Sequence, residues 1–548
     1  MEKHLPRDVR NIALAGHAGG GKTSLLEAIL HVAGVNERLG RVDDGSATTD
    51  FDPDETQRKH SIHLALAPCD WPPSGAQKRE LHWVDTPGHP DFFGDFIAAL
   101  RVVDDVLLVT PAQSSGGLEF GMESTWERAK AAGKAEAVFI NKMDRERADF
   151  YGAIEALRTR FGNHVVPATL PIGEGENFEG VIDLVTMKAH YGGGKDIREA
   201  EIPAELLSKA LEWREKLLEV AAEGDDALIE KYLGGEELTE DEIERGIHED
   251  LLSGHIVPVF CGSATKCIGI QPLLTHLALE FESPDEAENT CDPNAPFSAL
   301  VFKTLADPYV GKLTCFRVKT GRITPDTTVW NTNKQREERL GPLFMLCGKR
   351  QIPVKELVAG DLGSVAKLGS TETSDTLCDK NHPVQYPPIP FPTPTYAVAA
   401  SPKTKQDEDK LGLALARVAE EDPAFRHERH PETGETLLLG RGETHLDLIA
   451  GRLARFGSKV ETRLPKIPYR ETLTRSARAQ GRHEKQTGGR GQFGDCWLKV
   501  EPQTTGTGFV FIDKIVGGAI PRQWLRRSRK AYTSLWGAVC WQASPWWM

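Results

Sequence analysis

The sequence predicts a multidomain protein: an α/β domain built on an open sheet, followed by a β-barrel domain and α+β sandwich domains. Four observations predict it. The chain has 548 residues, far beyond what one hydrophobic core supports. Four short apolar runs each end in a loop of small or polar residues, at Gly16, Asp85, Asn141 and Ser263, and ligands of open α/β sheets bind at that edge. Farther on, alternating runs at 313–318 and 327–331 with glycine turns read as barrel strands. Helical periodicity at 411–419 and 446–456, with a turn and short strand between, suits a small α/β sandwich.

Composition narrows the class. Hydrophobic residues make up 39% and charged residues 27%, ordinary for a well-packed chain. No apolar run reaches the roughly 18 residues that suit a membrane-crossing helix. The opening MEKHLPRDVR lacks the apolar stretch of a secretion signal. Nine cysteines without a CxxC pair argue against a disulfide framework or zinc site and fit a reducing cytoplasm. A net charge of −14 excludes nucleic-acid binding over the whole surface. Residues 441–522 nevertheless carry 15 Lys and Arg against 8 Asp and Glu, a basic end able to meet an anionic partner.

The first motif is the most specific. The run 11–15 leads into Gly16-His17-Ala18-Gly19-Gly20-Gly21-Lys22-Thr23, and a helical segment starts at Ser24, giving the strand–GxxxxGK[ST]–helix pattern. Its glycines let successive backbone N–H groups face phosphate oxygens, and the helix N-terminus adds partial positive charge. Lys22 is expected to reach the β- and γ-phosphates, and the Thr23 hydroxyl to ligate Mg²⁺. The second strand ends in Asp85, expected to hold Mg²⁺ through water, with Gly88 placed so that its amide senses the γ-phosphate. The third ends in Asn141-Lys142-Met143-Asp144. The Asp144 carboxylate can accept from guanine N1–H and the exocyclic amine, a donor pair adenine lacks. Asn141 is expected to brace the loop and the Lys142 stem to lie along the base. The fourth, at 256–260, leads to Ser263 and Ala264, whose backbone amides are expected to contact guanine O6. Any one of these alone reads as a polar turn after a strand; four in order do not.

With those residues in place, the chain resembles the translational GTPases, and specifically elongation factor G. Asp85-Thr86-Pro87-Gly88-His89 is that group's form of DxxG, and the resemblance implies that His89 orients the attacking water and acts with Lys22 in catalysis. It also implies a P-loop GTPase domain at 1–285 with an inserted subdomain at about 155–250, and a β-barrel domain at 292–386, opened by the run 297–313. An α/β domain at 395–467 follows a proline-rich linker at 387–394. An incomplete fourth domain at 468–522 is marked by the run 485–494, KQTGGRGQFG. The activity implied is ribosome-dependent hydrolysis of GTP to GDP and phosphate with Mg²⁺. The partners implied are rRNA and ribosomal proteins, met by a cytoplasmic monomer without a membrane. A ribosomal-protection-type GTPase and a GTP-binding paralogue with weak or no hydrolysis are the alternatives.

Three departures set this chain apart within the resemblance. Gly19 stands where these factors usually carry Asp. Ser61 stands where a threonine usually closes the first switch on Mg²⁺, and it keeps the hydroxyl, so it joins Thr23 and Asp85 as an expected metal-site residue. Lys59 and His60 replace the usual Gly-Ile. Together they point to a paralogue rather than the housekeeping translocase. Residues 523–548 are expected to be an out-of-frame tail. Trp524, Trp536, Trp541, Trp546 and Trp547 are five of the chain's 11 tryptophans. Codons compatible with 539–548, read one nucleotide earlier, can encode a string resembling fourth-domain sequence.

Overall fold

The computed structural model describes residues 5–72, 78–112, 117–194, 196–234, 236, 238–287, 291–307, 311–468, 474–504, 510–520, 525–527 and 529–531. Apart from the last two pieces, the expected tail at 523–548 lies outside the described residues.

In chain order, the first domain runs β1 (Val9–Ala15), α1 (Lys22–Val32), α2 (Pro53–Arg58), β2 (Ala65–Trp71), β3 (Arg79–Asp85), α3 (Phe93–Leu100), β4 (Asp105–Pro111), α4 (Phe120–Ala131), β5 (Ala135–Asn141), α5 (Phe150–Phe161) and β6 (Val165–Pro167). An insertion follows, and then β11 (Val257–Cys261), α9 (Ile270–Glu280) and the short α10 (Pro284–Ala287) complete the domain. The sheet order is β2-β3-β1-β4-β5-β11-β6. All neighbours pair in parallel except β2, which pairs antiparallel with β3 at one edge. Every residue of β1, β5 and β11 is buried, as parallel strands covered by helices on both faces require.

The insertion carries β7 (Thr169–Ile172), β8 (Gly180–Asp183), β9 (Lys188–Tyr191), β10 (Arg198–Ala200) and the helices α6 (Ala204–Ala222), α7 (Asp226–Leu233) and α8 (Glu240–Ser253). Its four strands form their own antiparallel sheet. β6 pairs within the main sheet, and the α5 residues Phe150, Ile154 and Leu157 share one buried cluster with insertion residues such as Ile182, Leu217 and Ile247.

The second domain is an eight-stranded antiparallel sheet that begins with β12 (Ser298–Asp307) and β13 (Gly311–Thr320) and surrounds a core including Phe316, Leu343, Val365 and Leu377. A buried ion pair ties it to the first domain: Arg317 lies 2.7 Å from Asp104, both almost wholly inaccessible. The proline run is not a free spacer. Ile389 is buried, and the Pro387 carbonyl accepts from Arg101 at 3.1 Å.

Two further helices, α11 (Lys405–Glu421) and α12 (Glu443–Arg455), belong to the same compact unit as these domains, which comprises 1–397, 402–427 and 438–461. The second unit comprises 398–401, 428–437 and 462–548. It contains a long hairpin, Ala477–Thr487 with Arg490–Val500, closed by a Gly488-Gly489 turn as its in-register Thr487–Arg490 pair demands. No helix among the described residues is long and apolar enough to cross a membrane.

Candidate functional site

The carboxyl ends of β1, β3, β5 and β11 bring the four motifs to one rim. At Gly21, which caps α1 in the left-handed conformation (φ 95°), a side chain would run into Asn141. At Gly88 a Cβ would collide with the Lys22 ammonium and the His17–Ala18 backbone, so the DxxG glycine lies directly against the phosphate loop. Lys22 is buried, and its ammonium donates to the Gly16 and His17 carbonyls at 3.0 Å each. Burial draws its pKa down to about 8, against the pull of Asp85, Asp50 and Glu119.

The expected metal residues meet. The Thr23 hydroxyl donates to Asp85 Oδ2 at 2.8 Å and lies 2.9 Å from the Ser61 hydroxyl. Two residues that no motif flagged join them. The Thr49 hydroxyl donates to the same Asp85 oxygen at 2.8 Å. Asp50 is buried, and neither of its oxygens, nor Asp85 Oδ1, has a hydrogen-bond partner among the described residues. Burial and then the neighbouring Asp50 push Asp85 up to about 7. Burial also raises Asp50, with the Ser61 hydroxyl and Lys22 opposing. Buried hydroxyls and carboxylates with unsatisfied oxygens are hard donors of the kind Mg²⁺ takes. A dication is also the charge that this cluster lacks, so the residues present fit the metal.

At the other end of the rim, Asn141 braces three loops. Its Nδ2 donates to the Gly20 carbonyl at 3.2 Å, and its Oδ1 accepts from the Lys142 and Ala264 amides at 2.8 and 3.1 Å. The backbone amides of Ser263 and Ala264, expected to contact guanine O6, stand at the same rim. The Ala264 amide is engaged by Asn141, and the Ser263 amide donates to the Ile268 carbonyl at 3.0 Å. Lys142 reaches across the phosphate loop, and its ammonium donates to the Gly19 carbonyl at 2.7 Å. Asp144 keeps one oxygen unpartnered, while the other accepts from the Thr265 hydroxyl at 3.1 Å, a contact no motif announced. Ser24 follows Thr23 in the first turn of α1. Gly19 has a positive φ of 83° and open space where a side chain would stand.

His89 begins the short turn Pro90–Phe92, where its Nδ1 accepts the Asp91 amide at 3.3 Å. The first switch is pinned by α2. Glu55 is 2% exposed, and its carboxyl accepts the Ile62 and His63 amides at 2.9 and 3.0 Å. Burial and Asp50 raise its pKa to about 8. From α12, Arg455 pairs with Asp52 and Asp54, and Arg452 lies 3.7 Å from Asp54, so the switch helix docks on basic side chains. Asp95, just beyond, is held by Lys303 of β12 at 2.6 Å.

Comparison with known proteins agrees with this geometry. Family models match along the chain in order: the elongation factor Tu GTP binding domain at 7–283, elongation factor G domain 2 at 296–380, domain III at 391–464 and domain IV at 465–534. A crystal structure of a protein from Thermus thermophilus superposes with a TM-score of 0.86 at 36% identity, covering 96% of this chain and 77% of that one. The order of the matched domains and that level of identity place the chain in the elongation-factor-G-like family of translational GTPases.

Proposed function

We propose that the chain hydrolyses GTP to GDP and phosphate when bound to the ribosome, and uses the cycle to drive one step of translation, translocation or recycling. It does so in the cytoplasm, as a monomer in contact with rRNA and ribosomal proteins. The observation that carries the reading is the convergence of Lys22, Thr23, Ser61 and Asp85 on one rim, with unsatisfied carboxylate oxygens among them.

In this reading the phosphate-loop amides and Lys22 stabilise charge on the transferring phosphoryl group. Thr23 and Ser61 would hold Mg²⁺, with the Asp85 and Asp50 carboxylates beside them, and the ion would supply positive charge to the triphosphate. The Asp144 carboxylate reads guanine with its pair of acceptor oxygens. His89 has a defined tautomer. Because Nδ1 accepts the Asp91 amide, the neutral ring carries its proton on Nε2. The ring therefore donates to the attacking water and orients it, rather than removing its proton.

Phosphate release measured with and without ribosomes, in the parent and in His89→Ala, tests this. Turnover should be slow alone and rise on ribosomes, and His89→Ala should lose about 10²–10⁴-fold of the stimulated rate. A flat response to ribosomes with tight GTP binding would instead select the binding paralogue without hydrolysis.

A further inference from the structure

Thr49, bonded to Asp85, and Asp50 lie in a stretch, 47–50, that belongs to no helix or strand, so neighbours must fix its course. One neighbour is α1. Its Glu27, 1% exposed, accepts the Thr48 amide at 2.5 Å, and Asn36 just beyond the helix donates to the Thr48 hydroxyl at 2.8 Å. The other neighbour is the second domain. There the strands Leu343–Cys347 and Arg350–Val354 pair in register up to Cys347 and Arg350, leaving the two-residue turn Gly348-Lys349. The Gly348 amide donates to the Leu66 carbonyl of β2 at 2.8 Å, which seats the turn on the edge of the main sheet. Gly348 has a positive φ of 56°, and a Cβ there would overlap the Thr48 carbonyl oxygen and stand 2.9 Å from its carbon. Only bare backbone fits between the turn and the Thr48 peptide.

We propose that Gly348 is a positioning residue for the metal site: its turn and α1 clamp the Thr48 peptide between them, and the clamp sets Thr49 and Asp50 against Asp85. The planar peptide makes this effective, because the Thr48 carbonyl cannot move without carrying the Thr49 amide with it. The Thr49 hydroxyl, 2.8 Å from Asp85 Oδ2, is then fixed within one residue of the clamp, and the Asp50 carboxylate within two. On the α1 side the peptide cannot retreat without breaking its bond to a buried carboxylate. The second domain thus shapes the metal site while giving it no atom. The inference rests on the reading of Thr23, Ser61, Asp85 and Asp50 as the residues around Mg²⁺.

The test measures the free Mg²⁺ needed for half-maximal retention of fluorescent GDP in the parent, Gly348→Ala, Gly348→Asn and Gly311→Ala. GDP affinity without Mg²⁺ and the melting temperature of the nucleotide-free protein are measured beside it. Gly348→Ala should raise the Mg²⁺ requirement about tenfold, the usual cost of disturbing groups that orient metal ligands, and leave the Mg²⁺-free affinity unchanged. Gly348→Asn should do the same, since asparagine tolerates positive φ but brings the same Cβ. Gly311→Ala should change neither: φ there is 81°, and no described residue lies within 4 Å of an added Cβ. Combined with Asp50→Asn, Gly348→Ala should add less than it does to the parent, because both act on the same carboxylate. An unchanged requirement, restoration by asparagine, an equal rise in Gly311→Ala, a loss that persists without Mg²⁺, or full additivity with Asp50→Asn overturns the clamp. If Gly348→Ala does not fold, Asn36→Ala loosens the same peptide from the α1 side and should raise the requirement severalfold; a parental value there overturns the clamp too. If Asp50→Asn and Ser61→Ala both leave the Mg²⁺ requirement alone, it is the metal reading beneath the clamp that fails.

Discussion

The two ends of the rim are built differently. At the base end most polar groups are already used: Asn141 ties the phosphate loop to the Lys142 and Ala264 amides, and a single buried oxygen of Asp144 has no hydrogen-bond partner among the described residues. At the phosphate end, three buried carboxylate oxygens on Asp50 and Asp85 have no hydrogen-bond partner among the described residues. An unsatisfied buried acceptor costs about 1–3 kcal/mol, more if charged. In the proposed reading the base end selects the ligand through atoms already fixed, and the carboxylates of the phosphate end are offset by a cation. Selectivity should therefore reside in a few fixed atoms at one end, and ligand-linked stability at the other.

The largest effect is expected at the selective end. Asp144→Asn replaces an acceptor pair with one acceptor and one donor, which mismatches guanine N1–H and its amine but suits xanthine. Calorimetry should find GTP and GDP affinity reduced by on the order of 10⁴-fold, the discrimination available to a site built around specific hydrogen bonds, with a gain for xanthine nucleotides. Retention of guanine affinity within about tenfold would mean that another group reads the base.

The next effect lies at the incomplete end. Asp50→Asn removes one buried negative charge facing the metal site. The free Mg²⁺ needed for half-maximal retention of fluorescent GDP should rise about tenfold, which corresponds to about 1.4 kcal/mol. Without Mg²⁺ the same variant should melt no earlier than the parent, because the amide relieves like-charge repulsion with Asp85. An unchanged Mg²⁺ requirement would place Asp50 outside the metal's reach.

Much of this was legible in the sequence, and the exceptions share a cause. A phosphate loop between a strand and a helix fixes its own geometry, so Lys22 and Thr23 could be placed from spacing alone. Asp85 and Asp144 followed because strand ends in an open sheet line one rim. Asp50 and Thr49 were missed because they reach Asp85 through a long loop, which imposes no sequence period. The contact between Asn141 and the Ala264 amide could not be read from the sequence because the two stand 123 residues apart in the chain. Composition reports the stiffness of the proline-rich linker, not the Arg101 donor that anchors it at the Pro387 carbonyl.

The smallest predicted effect separates reading the base from holding the reader still. Thr265 donates to the Asp144 oxygen opposite the open one, and it is exposed, so water competes for the same carboxylate. Thr265→Val should therefore cost about 0.5–1 kcal/mol in guanine-nucleotide affinity, a few-fold in dissociation constant, the net value of a solvent-accessible hydrogen bond. Ribosome-stimulated kcat at saturating GTP should not move, since the phosphates lie at the other end of the rim. In the Asp144→Asn background the effect should vanish, because the carboxylate that Thr265 orients is gone. A Thr265→Val loss as large as that of Asp144→Asn would mean that the base end is not preorganised after all, and that Asp144 depends on the hydroxyl for its placement.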